Sequence, residues 1–165
     1  MNSAATEPRA PAHRVEPRAR WYWAVRALFG WIVVLGAEAA VMLPNATPDV
    51  LMMGVFGGTG LVGAAHVAVM PQWRYRVHRW EDTPRAVYTQ TGWFTQERRI
   101  APVTRIQTVD THRGPIEQLF SLSNVTVTTA SAAGPLKIYG LSRATADRLS
   151  AELTERTRSA GDDAT

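Results

Sequence analysis

The sequence predicts a membrane α-hairpin followed by a mainly β domain: two transmembrane helices, a run of short strands and one C-terminal helix. Three observations predict it. Two long apolar blocks fall between residues 24 and 70, short β-rich runs broken by turn signals follow, and an amphipathic helical pattern closes the chain. With 165 residues the chain has room for one domain plus appendages rather than for two domains.

The first block, Ala24 to Leu43 (AVRALFGWIVVLGAEAAVML), would span about 30 Å as a helix, the thickness of a bilayer's hydrocarbon core. The second, Val50 to Met70, is as long and has no formally charged residue. Between them PNATPD carries two prolines and an asparagine, which stop helices and turn the chain into a tight hairpin. A secretory signal peptide is the competing reading of the first block, because Ala37-Glu38-Ala39 resembles a cleavage site. The long leader before that block, and the second block directly after it, argue for a retained anchor.

Residues 1–20 are rich in Pro, Ala and Arg and read as a disordered leader. Arg9, Arg14, Arg18, Arg20 and Arg26 accompany the start of the first block, Arg74, Arg76 and Arg79 follow the second, and the linker has none. The positive-inside rule then puts both termini in the cytoplasm of a cell-membrane protein. Trp21, Tyr22, Trp23, Trp73 and Tyr75 stand where an interfacial aromatic belt on that side would put them.

The division expected is a leader over 1–20, a two-helix hairpin over 21–70, a β domain over 71–157 and a disordered tail over 158–165. Candidate strands are Arg74–His78, Arg85–Thr91, Phe94–Ala101, Ile106–His112, Asn124–Thr129 and Leu136–Tyr139, with turns at Glu81–Pro84, Gly92 and Ser131–Pro135. Ser142 is a good N-cap for a closing helix whose Ala146, Leu149 and Leu153 form one apolar stripe.

The order of strands and one final helix suggests a PH-like barrel or sandwich, and residues 102–127 (PVTRIQTVDTHRGPIEQLFSLSNVTV) carry a resemblance. A basic strand ending in proline (Arg98, Arg99, Pro102), an Arg-Ile-Gln step (Arg105, Ile106, Gln107), a Gly-Pro turn (Gly114, Pro115) opening a short apolar helix, and a Val-x-Val strand (Val125, Val127) are similar to the bacterial PH-domain family of YdbS-like membrane proteins. The resemblance implies a PH-like domain behind a pair of transmembrane helices. Ser121 departs from it: the family often has glycine there, which permits a positive φ, so serine predicts a tighter or shifted turn.

Composition removes several chemistries. No cysteine means no disulfide, thiolate metal site or cysteine nucleophile. A net charge of +4, nearly all of it from arginine, favours anionic partners. His13, His78 and His112 lack carboxylates at metal-ligand spacing, and Asp110 with His112 reads as a surface pair. The turn at Glu81 and Asp82 is acidic and would repel a phosphorylated headgroup.

Arg74, Arg76 and Arg79 are the residues expected at the membrane surface, each adding about 1 kcal/mol of attraction to anionic lipid. Glu38 and His66 are the intramembrane polar candidates. Their depths in an antiparallel hairpin differ by roughly 15 Å, which forbids pairing; Glu38 is expected to reach outward to water and His66 to reach a headgroup or a neighbouring helix. Gly54, Gly58, Gly60 and Ala64 have small-xxx-small spacing, for packing against the first helix or for self-association. Adjacent Arg98 and Arg99 point to opposite faces of a strand and form no single phosphate clamp.

No catalytic, cofactor or metal site is expected. The function that follows is a noncatalytic membrane-anchored PH-like module for protein assembly at the inner face of the cell membrane. Its partners would be anionic bilayer lipid and a second copy or another PH-domain membrane protein, not nucleic acid. An anionic-phospholipid-binding module and an accessory subunit of a larger membrane complex are the alternatives.

Overall fold

A computed structural model describes residues 10–43, 49–93, 95–132 and 134–162. The apolar blocks form α1 (Ala19–Met42) and α2 (Val50–Val77), both long and apolar enough to cross a membrane. Asp49 caps α2, its side chain accepting from Met52 N–H at 2.7 Å. Most of the predicted linker, residues 44–48, lies outside the described residues.

Four strands, β1 (His13–Arg14), β2 (Arg79–Asp82), β3 (Ala86–Gly92) and β4 (Gln96–Pro102), form one antiparallel sheet in that order. A 3₁₀ turn at Val103–Arg105 leads into β5 (Ile106–His112), which joins β6 (Leu122–Thr129) and β7 (Leu136–Ser142) in a second antiparallel sheet. The short α3 (Pro115–Leu119) links β5 to β6, and α4 (Arg143–Asp162) closes the chain. Ser142 caps α4 as the sequence predicts, accepting from Thr145 N–H at 3.2 Å. The predicted stripe of Ala146, Leu149 and Leu153 is fully buried against Leu122, Val125, Val127 and Ile138.

Four expectations are corrected, three of them by tertiary packing. The described part of the leader is ordered: β1 pairs with β2, Glu81 Oε2 accepts from Ala12 N–H at 3.0 Å, and Val15 and Ala19 join the core. Arg74–His78 is helix rather than strand, because α2 runs on through Pro71 to bury Val77 and pack Tyr75 against the core. Residues 158–162 extend α4 instead of forming a loose tail; residues 163–165 fall outside the described part. Glu81 and Asp82 belong to β2 rather than to a loop, and Asp82 holds α4 through Arg156 at 3.4 Å.

Ser121 is itself the positive-φ residue, at 55°, so the turn after α3 keeps the left-handed conformation without glycine. That conformation costs a non-glycine residue on the order of 1 kcal/mol.

A register shift between β6 and β7 decides how the N-terminal segment docks. Asn124 faces Tyr139 and Gly140 together, a bulge that turns the Asn124 side chain to accept from Gly140 N–H at 2.9 Å. The Gly140 carbonyl accepts from Glu16 N–H at 2.8 Å. Gly140 has φ +70°, and a Cβ there would stand 2.9 Å from the Ala19 Cβ. Gly140→Ala therefore combines a strained backbone with a collision. It is expected to destabilise the protein by about 2 kcal/mol and to expose Arg14 and Arg18 to trypsin, as thermal unfolding in detergent and limited digestion would measure.

Candidate functional site

The polar and aromatic residues that connect the hairpin to the β domain form one connected interaction site. Its centre is the first turns of α1. Tyr22 and Trp23, expected in an interfacial belt, are only 7% and 3% exposed because they pack into the domain core. Trp21 and Trp73 keep the exposed positions that the belt predicts, at 65% and 48%.

On one side of the joint Arg26 Nη1–H donates to Tyr22 Oη at 2.9 Å, and Tyr22 O–H donates to Glu117 Oε1 at 2.6 Å. Asn124, already bound to Gly140, adds a longer bond to Glu117 at 3.4 Å. Partial burial works against the Glu117 charge, but the bonds from Tyr22 and Asn124 and the nearby Arg26 outweigh it and hold its carboxyl below the usual range. The chain of bonds ties α1, α3 and the β6–β7 bulge together.

On the other side Arg74 lies over the Trp23 ring, 4.7 Å from its centroid, and His78 packs against the same ring at 5.0 Å. His78 Nδ1 lies 2.9 Å from the Arg74 carbonyl, which can only accept, so Nδ1 carries the proton and Nε2 accepts from Arg74 Nε–H at 3.4 Å. Burial, and then the adjacent Arg74 cation, press the His78 imidazole down to about 4.

Deeper in the hairpin the structure separates the two intramembrane candidates, as their spacing predicts. Glu38 does not reach outward: Thr59 Oγ1–H on α2 donates to its Oε1 at 2.8 Å, and its Oε2 is shut off from the surface without a partner among the described residues. It borders an apolar cleft of about 460 Å³ between the helix ends, lined by Val41, Leu51, Val55 and Phe56 among others. His66 accepts from Trp31 Nε1–H at 2.9 Å through Nδ1, and its ring lies 5.4 Å from that of Trp93 in the β3–β4 turn.

The small-residue stripe does not pack against α1. A Cβ added at Gly54, Gly58 or Gly60 would meet nothing within 4 Å, and Ala64 is exposed. The close approach between the helices is made at Gly63, where a Cβ would stand 2.9 Å from the Trp31 ring. Of the three arginines expected at the membrane surface, Arg74 is engaged with Trp23 and His78, Arg79 is half-buried in β2, and Arg76 is exposed. Asp110 and His112 are exposed on β5. Arg99 bonds Glu97 and the Pro135 carbonyl, each at 2.7 Å.

Sequence reasoning missed Tyr22, Glu117, Asn124, Gly140, Gly63 and Trp93 as site residues. The available signal was their polarity or size inside apolar runs, but their partners lie far away along the chain.

Residues 30–157 match the bacterial PH domain family, most of the chain and a stretch that begins inside α1. The chain belongs to the bacterial PH-domain family. It is also 33% identical to the UPF0699 transmembrane protein YdbS of Bacillus subtilis (strain 168) over 111 residues, which is 67% of this chain and 69% of that protein. No solved structure matches. The two sheets and closing helix are the PH-like sandwich that the sequence predicts.

Two expectations follow from the joint. Gly63→Leu drives a side chain into the Trp31 ring and should lower the midpoint of thermal unfolding in detergent, by the equivalent of about 1–3 kcal/mol for overpacking. Gly54→Leu, in open space, should leave the midpoint unchanged. The low value of His78 means that the unfolded chain takes up a proton before the folded one does. Stability is therefore full above about pH 6.5 and falls by about 3 kcal/mol as the pH drops toward 4. Unfolding measured across that window should show the fall, and His78→Gln should remove it.

Proposed function

We propose that this protein is a noncatalytic assembly module that holds a PH-like domain at the inner face of the cell membrane, with both termini in the cytoplasm. The observation that supports it most directly is the unused small-residue face of α2. Gly63 makes the contact with α1, while Gly54 and Gly58 stand in open space at the spacing that lets another helix approach closely. The partner is a second copy of this chain or another membrane protein carrying a PH domain, rather than nucleic acid.

The orientation rests on the arginines at the domain end of both helices. Arg76, exposed just beyond the second apolar block, supports attraction to anionic lipid as a secondary contribution. The joint supports a fixed geometry: because the start of α1 lies in the domain core, a partner gripping the hairpin also positions the domain.

The chain lacks cysteine, so one introduced at Leu61, exposed near the Gly58 turn of α2, gives a clean crosslinking site. In native membranes the Leu61→Cys protein should yield a crosslinked species of twice its mass or with a co-purifying membrane protein. Adding Gly58→Leu should reduce that yield at least about tenfold, the equivalent of 1.4 kcal/mol, without changing the unfolding midpoint. Monomer alone, with nothing co-purifying, would overturn the proposal.

A further inference from the structure

We infer that the β3–β4 turn is a second membrane anchor, a wedge that carries Trp93 into the interfacial zone of the bilayer beside the hairpin. Depth along the helices carries the inference. His66 lies four residues before Met70, where the second apolar block ends, so it sits about 6 Å inside that block. The Trp93 ring is 5.4 Å from the His66 ring, and the Trp93 carbonyl accepts from Trp73 Nε1–H at 3.0 Å. The turn therefore lies along two turns of α2, between the Trp73 and His66 levels.

The first helix also places this level within the apolar hairpin. Trp31 bonds His66, and Trp31 is eight residues beyond Trp23, the last α1 residue buried in the domain core. That places the Trp93 ring about 12 Å along the hairpin from the point where α1 leaves the core. A turn of a wholly water-exposed domain would carry polar residues; this one presents Trp93 directly after Gly92.

Gly92 makes the turn possible, since its φ is +132° and a Cβ there would run into the Thr95 carbonyl oxygen. Trp93 remains partly exposed, and Trp73 beside it is 48% exposed, so indole surface is left for lipid. Tryptophan favours this depth because its ring is apolar while its N–H and the nearby backbone can meet polar headgroups. Two anchors, the hairpin and the turn, fix the tilt of the domain on the membrane as well as its distance.

The inference rests on the hairpin spanning the bilayer, and one labelling experiment tells the two failures apart. Single cysteines, at Thr95 in the turn, at Ala132 in the β6–β7 turn and at Gly57 within the apolar part of α2, carry a nitroxide in the full chain reconstituted in phosphatidylglycerol–phosphatidylethanolamine liposomes. Thr95 and Ala132 are exposed, and Gly57 stands in open space, so none of the three disturbs packing.

Dissolved oxygen should relax the label at 95 several-fold more than a water-soluble nickel chelate does, as at 57, while 132 shows the reverse. A label at 95 that behaves like 132 while 57 reads as lipid overturns the wedge alone. If 57 also reads as water, the hairpin reading fails and the wedge with it.

Discussion

The rest of the structure depends on the contact between Gly140 and the start of α1. The bulge between β6 and β7 exposes both backbone groups of Gly140, one bonded to Asn124 and the other to Glu16. The absence of a Cβ lets Ala19 come close enough for Val15 and Trp23 to enter the core. Without that approach the hairpin and the domain would be two bodies joined by a hinge. With it, the first turns of a membrane helix are also core residues of the β domain.

That sharing explains why the polar groups concentrate where they do. A helix that leaves a protein core and enters lipid must satisfy every polar side chain near the crossing, because neither environment supplies water. Arg26 is held by Tyr22, Tyr22 by Glu117, and Arg74 by Trp23 and His78, so both of these arginines have fixed neighbours. The acids of β2 have similar tasks at the far side of the sheet: Glu81 holds the N-terminal segment and Asp82 holds α4. An acidic stretch that reads as headgroup-repelling in the sequence is thus accounted for by two structural contacts.

The family match gives these contacts a context, since the matched stretch begins at residue 30 and therefore takes in most of the hairpin along with the domain. A PH-like sandwich whose core extends into its membrane anchor cannot rotate independently of the helices. In the function proposed above, this joint would couple partner choice in the bilayer to presentation of the β domain.

The sequence by itself determined the two helices, five of the seven strands, the closing helix with its Ser142 cap and Ala146–Leu149–Leu153 stripe, and the separation of Glu38 from His66. These are local or periodic features, written in composition, spacing and turn residues. The order in residues 10–20, the continuation of α2 past Pro71, the inward turn of Tyr22 and Trp23, and the choice of Gly63 over Gly54 and Gly58 as the packing glycine were decided only by tertiary structure. Each depends on a partner remote in sequence: Trp80 opposite His13, Gly140 under Ala19, Trp31 against Gly63. Helical spacing shows which glycines share a face, but only the register of the two helices shows which of them meets a tryptophan.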